Sequence, residues 1–246
     1  MSPCGGDAMA TGLRDGCADV VLWRRQYGRA VYVPRFNAMD DADEIRRLVT
    51  GVGSAQLVTV GPDGYPAATL LPVIWDGDRL VLHMARANEH WKAIEPGAPA
   101  LAVVTGPEGY VSPAWYPSKA EHGRVVPTWN YSAVHFTGRV EVHTDPDWLL
   151  DAVTRLTEAH ERTRGDSWAV TDAPPRYVEK QLRAIVGIEF AVERIEAKAK
   201  LSQNKDDADF AGVVAGLRDE GAGREHAVAD SMAALRPHVA PADPPA

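Results

Sequence analysis

The chain has 246 residues, 45% of them apolar and 24% charged, with a formal net charge of −8. That length supports a sizeable core, one medium domain or two small ones, and no run approaches the roughly 18 apolar residues of a membrane-spanning helix. The acidic balance argues against a general nucleic-acid surface, because phosphate contacts need surplus Lys and Arg.

Residues 1–30 scatter Gly, Asp and Ala without helical or strand period and lack the apolar core of a secretory signal. They read as a disordered extension or a mis-assigned start, with the domain opening at Val31. Both cysteines, Cys4 and Cys17, fall in this stretch. The rest of the chain therefore has no disulfide framework, cysteine-ligated metal or thiol nucleophile, which fits a reducing, cytoplasmic compartment.

Asp40–Val49 predicts a short helix capped by Asp40, with Ile45, Leu48 and Val49 on one face. A meander follows: strands Ala55–Val60, Ala67–Trp75 and Leu80–Ala85, joined through Gly61-Pro62-Asp63-Gly64 and Asp76-Gly77-Asp78. Asn88–Ile94 reads as a short capped helix, and Ala100–Thr105 as a buried strand. Between Tyr110 and Gly138, Trp115, Tyr116, Trp129 and Tyr131 surround Ser118, Lys119, Glu121, His122 and Arg124. Such a segment either closes a core or forms a wall against something flat and polar-edged; its flanks favour the wall.

Ser132–His143 alternates cleanly, with Val134, Phe136, Gly138, Val140 and Val142 on one side and His135, Thr137, Arg139 and Glu141 on the other. Asp145 and Pro146 open a helix with Leu149, Ala152, Val153, Leu156 and Ala159 inward. A helix opened by Asp172-Ala173-Pro174-Pro175 and running through about Ala184, and a strand Val186–Val192, prolonged through Arg194–Leu201, come next. Phe210, Val213, Val214 and Leu217 predict a closing helix over the end of a domain spanning 31–218. Residues 219–246 read as a disordered Ala/Pro-rich tail. Meandering strands with helices at the corners point to an antiparallel barrel decorated by helices.

No Walker loop, GxGxxG or GxSxG motif is present. The best anion site is residues 83–91, where a strand ends, Arg86 sits in the turn and Asn88 caps a helix. The plainer alternative there is a capped corner with a solvated arginine. No histidine pair has metal-ligand spacing, so no metal is expected. Lys198–Lys205 (KAKLSQNK) is either a solvated strand end or a clamp for an anion or carbonyl edge.

VYVPRF, HMARANEHW, YVSPAWYPSKAEHGRVVPTWNY, DPDWLL, AIVGIE and KLSQNK together resemble the PaiB family over about residues 31–218. Its members are described as FMN-binding negative transcriptional regulators with a flavin-reductase-like split barrel. The resemblance implies a mainly β fold with α, an antiparallel FMN-binding split β-barrel, and a homodimer holding FMN at the subunit interface. It would run Thr69, Leu70 and Leu71 along the isoalloxazine edge and set His83, Arg86, Ala87, Asn88 and Trp91 around the ribityl phosphate. Trp129, Asn130, Ser202, Gln203 and Asn204 would close over the ring from the other subunit. It implies a regulator, read as a flavin-based redox or metabolite sensor, with a small FMN-dependent oxidoreductase as the alternative. A haem-binding split barrel using His83, His90 or His135 ranks below both. The acidic chain shows no helix-turn-helix with a basic recognition helix, so direct DNA binding has little support.

Overall fold

A computed structural model describes residues 31–239 except 163 and 166. Six strands, β1 (Ser54–Val60), β2 (Pro66–Asp76), β3 (Arg79–Ala85), β4 (Ala98–Val111), β5 (Thr128–His143) and β6 (Ile185–Lys200), close into a barrel in the order β1-β2-β3-β6-β5-β4. Every neighbouring pair is antiparallel. Alternation drives inward Leu57, Leu71, Val73, Leu80, Leu82, Val104, Val134, Phe136, Ile188 and Phe190, all buried. No helix among the described residues is long and apolar enough to cross a membrane.

Six helices surround the barrel: α1 (Ala42–Val52), α2 (Ser118–His122), α3 (Pro146–Glu161), α4 (Pro175–Leu182), α5 (Asp207–Asp219) and α6 (Arg224–Leu235). Asp41, not Asp40, caps α1, accepting from the backbone N–H of Asp43 and Glu44 at 2.8 and 3.1 Å. Asp145 caps α3 as its sequence predicts. Trp148 of α3 lies flat on Gly187 of β6, where a Cβ would come within 1.9 Å of the indole. Its ring also stacks on His143 at 4.2 Å.

The tail expected over 219–246 needs correction. Arg224–Leu235 is helix α6, burying Val228, Ala229 and Met232 against the core. Alanine is the best helix former, and its density across this stretch favours a helix even beside the Pro and Gly that suggest a tail. The expectations for 1–30 and for 240–246 lie outside the described residues.

The aromatic segment divides between its two readings. Tyr116 is buried in the core, and Trp115 packs on α5 so closely that a Cβ on Gly216 would meet its ring at 2.3 Å. Trp129 and Tyr110 instead stay 52% and 45% exposed, paired edge to face. Half the segment is core closure; the other half is an exposed aromatic surface.

Candidate functional site

The barrel opens between β2 and β3. These strands pair only from Val73–Asp76 to Leu82–Arg79, whereas β2 continues back to Pro66 on β1 and β3 continues to Ala85 on β6. The two strands diverge like a fork. Val73 N–H donates to Gly53 O, 3.0 Å away, so by ladder alternation Leu71 and Thr69 also turn their main-chain groups to β1. Leu70 and Ala68 turn theirs into the gap, joined by the carbonyl of Pro72. The Leu70 side chain is 62% exposed. An unpaired strand edge of this kind offers N–H and C=O groups in a row.

At the fork's base lies a cleft of about 390 Å³ lined by Pro72, His83, Val153, Leu156, Thr157, His160, Glu161 and Trp168. His83 Nδ1 is buried there without a hydrogen-bond partner, and burial holds the imidazole below its ordinary pKa. A buried neutral ring nitrogen lacking a partner costs stability unless a ligand or water completes it.

The short helix expected over Asn88–Ile94 is a 3₁₀ helix, Glu89–Ala93. The sequence signal for a cap is correct: Asn88 Oδ1 accepts from His90 N–H at 3.0 Å. The same amide donates to Thr69 Oγ1 (3.3 Å), which meets His90 Nδ1 (2.8 Å), while His90 Nε2 meets Thr59 Oγ1 (2.9 Å). A threonine hydroxyl can donate or accept, so either neutral form of the ring, with one nitrogen donating and the other accepting, satisfies both threonines. Burial lowers the His90 pKa, favouring the neutral ring.

Arg86 is half-buried and tied to the main chain. Its Nε donates to Arg183 O at 2.9 Å and Nη2 to Ile185 O at 3.2 Å. Trp91 Nε1 returns a bond to Arg86 O (2.9 Å). Arg86 and Arg183 line a second cleft of about 230 Å³ with Glu179, Leu182, Thr144, Pro146 and Leu149. Two arginines line this recess, with Glu179 as its one acid; arginine is the side chain best matched to a phosphate. Arg183, like the α3 side of the larger cleft, escaped sequence reasoning because nothing local links residues 97 positions apart.

The structure therefore gathers Thr69, Leu70, His83, Arg86, Ala87, Asn88 and Trp91 around the fork. Leu71 is buried with its side chain in the core. Trp129, Asn130, Ser202, Gln203 and Asn204 lie elsewhere, at the far end of β5 and β6. Asn130 is fully buried, its Nδ2 donating to Ser202 Oγ (3.0 Å), and Ser202 is buried too. Gln203 builds the turn, accepting from Leu201 N–H at 2.7 Å and donating to Ala199 O at 2.6 Å. These three hold the chain together locally, leaving Trp129 and Asn204 as the exposed members. Among the described residues no three His, Cys, Asp or Glu are grouped to hold a metal.

An open strand edge, an orphaned imidazole nitrogen and a two-arginine recess fit a planar, polar-edged ring with a phosphate tail. Residues 31–194 match the family model described as "Putative FMN-binding domain". The chain is 32% identical over 194 residues to the "Protease synthase and sporulation protein PAI 2" of Bacillus subtilis, covering 77% of this chain and 90% of that protein. Two solved structures share the fold. One is the FAD- and haem-binding protein from Mycobacterium smegmatis, with TM-score 0.53 and 23% identity over 71% of this chain and 79% of that one. The other is the flavocytochrome Anf3 from Azotobacter vinelandii, with TM-score 0.54 and 18% identity over 73% and 78%. With its barrel, its fork and its family match in agreement, the chain belongs to the PaiB-like family of FMN-binding split-barrel proteins, with FMN as its cofactor.

Proposed function

We propose that the protein is a homodimeric flavin-based sensor that holds FMN in the β2–β3 fork and signals through a protein partner. The observation that carries this is the fork itself, where β2 parts from β3 beyond Val73 and Leu82, with the unpartnered His83 Nδ1 on β3 next to the point of divergence and Arg86 just after the end of the same strand. The Leu70 and Ala68 groups would bind the polar ring edge, Asn88 would hold the ribityl chain, and Arg86 with Arg183 the phosphate. Trp129 and Asn204 of a second copy would close over the ring. FMN supplies electron transfer at its ring when bound. The net charge of −8 supports signalling through protein contacts rather than through DNA. A mobility shift on the protein's own upstream DNA that survives competitor at physiological salt would overturn that half of the reading.

The deciding experiment is flavin titration. Arg86→Ala and Arg183→Ala should each weaken FMN at least about tenfold while changing riboflavin much less, since a charge-assisted phosphate contact is what each removes. Equal losses for both ligands would refute the phosphate assignment.

An FMN-dependent oxidoreductase is the second reading, favoured by His83. A neutral imidazole with an unpartnered Nδ1 in the cleft can accept a proton there. Anaerobic NADH or NADPH should bleach the bound flavin if this reading holds; no reduction by either supports the sensor. The haem reading draws nothing from His90, because both its ring nitrogens are hydrogen-bonded.

A further inference from the structure

The far end of β5 and β6 carries two lysines that the flavin reading leaves unassigned, beside the Trp129 that it places over the partner's ring. Lys198 and Lys200 project from the same outward face of β6, beside Tyr131 and Ala133 of β5. Lys198 Nζ donates to Tyr32 O (3.2 Å) and sits 5.1 Å from the Tyr131 ring centroid. Lys200 Nζ donates to Thr128 Oγ1 and to Trp129 O. Every one of these acceptors is uncharged.

The acids on this face lie beside arginines, although neither carboxylate oxygen of Glu196 has a hydrogen-bond partner. Glu196, two positions before Lys198, pairs with Arg194 at 3.3 Å. Glu108, opposite Tyr131 on β4, pairs with Arg224 at 2.9 Å. Among the described residues neither lysine has a carboxylate within salt-bridge reach. Two like charges on adjacent outward positions repel, and partial burial with the neighbouring Lys198 charge lowers the Lys200 pKa. In a chain with a net charge of −8, such a pair is stabilised by an anion. Beside it the exposed Trp129–Tyr110 pair offers apolar ring surface.

We propose that Lys198, Lys200, Tyr131 and Trp129 form a binding site for a small aromatic anion, an aryl carboxylate or aryl phosphate. The lysines take the anionic group and the aromatic pair takes the ring. The site exists on each subunit by itself; its role as the place where a signal or substrate reaches the flavin rests on the dimer reading above.

Isothermal titration of FMN-loaded protein at 0.15 M salt, on the order of physiological ionic strength, tests this with benzoate and phenyl phosphate as probes. Acetate and inorganic phosphate serve as ringless controls. Saturable binding of either aryl anion is expected, with the controls at least about tenfold weaker. Lys198→Gln with Lys200→Gln, which keeps a donor at each carbonyl but removes the charge, should cost at least about tenfold. Trp129→Ala should bring the aryl probe down to its ringless control. Which probe binds more tightly identifies the carboxylate or the phosphate as the natural group. Absence of binding by both aryl probes, or binding that the double variant retains, overturns the site. So does a loss of FMN affinity over riboflavin in that variant, which would assign the lysines to the flavin phosphate. A change in the flavin absorption band on probe binding supports the dimer placement. Binding without such a change overturns that placement and leaves the anion site standing.

Discussion

Asn88 does two jobs with one side chain, capping the turn through Oδ1 and orienting Thr69 through Nδ2. Asn88→Ala removes both, leaving a half-buried His90 N–H unpaired and the Thr69 hydroxyl free to rotate. We expect a stability loss of about 1–3 kcal/mol and weaker FMN binding, measured by urea unfolding and flavin titration. Asn88→Asp should keep the cap and lose the donor, separating the two effects. The histidines add a pH dependence. Burial lowers the pKa of His83, His90 and His135, with Glu196 opposing the shift at His135. The unfolded chain therefore binds more protons than the folded one just below pH 6.5, the ordinary imidazole value. Their stabilisation is present above that value and is lost as pH falls. Urea midpoints should drop between about pH 7.5 and 5.5, and His90→Gln, which can still bond both threonines, should flatten the decline. A midpoint that rises on acidification would contradict the neutral tautomer.

At the scale of elements, long periodic segments were readable and short corners were not. β1, β2, β3, β5 and α3 follow from alternation or a helical stripe, because burial of one face dictates both. The corner at Asn88 was legible as a cap but not as a 3₁₀ turn, since one hydrogen bond per turn decides between them. Asn130 is the sharper lesson. The even-numbered inward set from Val142 back to Val134 extends to Ser132 and Asn130, so alternation alone places Asn130 inside. The resemblance overrode it. Another connection invisible to the sequence joins α2 to α5. Buried Asp209 accepts from Ser118 N–H at 3.1 Å and Ser118 Oγ at 2.8 Å, with Lys205 Nζ 3.8 Å away. Asp209→Ala strands those donors in the interior and should cost about 3 kcal/mol. Its signature would be a lower urea midpoint with the flavin fork intact.

Across the whole molecule, the proposed dimer makes a prediction about which candidate residues act together. Arg86 is tied to Ile185, the first residue of β6, while Lys200 is its last and adjoins Trp129. Between them runs roughly 50 Å of extended strand. In the proposed dimer, one copy's Trp129 would reach the fork of the other. On the outward face of these strands Leu70, 62% exposed, and Val103 flank the polar Gln56, while Val58 lies between Ala68 and Leu101. Complementation tests the dimer directly. Arg86→Ala should damage the fork, and Trp129→Ala the closing residue, each lowering FMN occupancy as a homodimer. Co-refolding equal amounts gives heterodimers in which one site has both lesions and the other neither. About a quarter of all sites should then regain normal FMN affinity, from statistical pairing in a twofold dimer. If both groups served one subunit's own flavin, mixing would restore nothing, and the titration would be the plain average of the two variants.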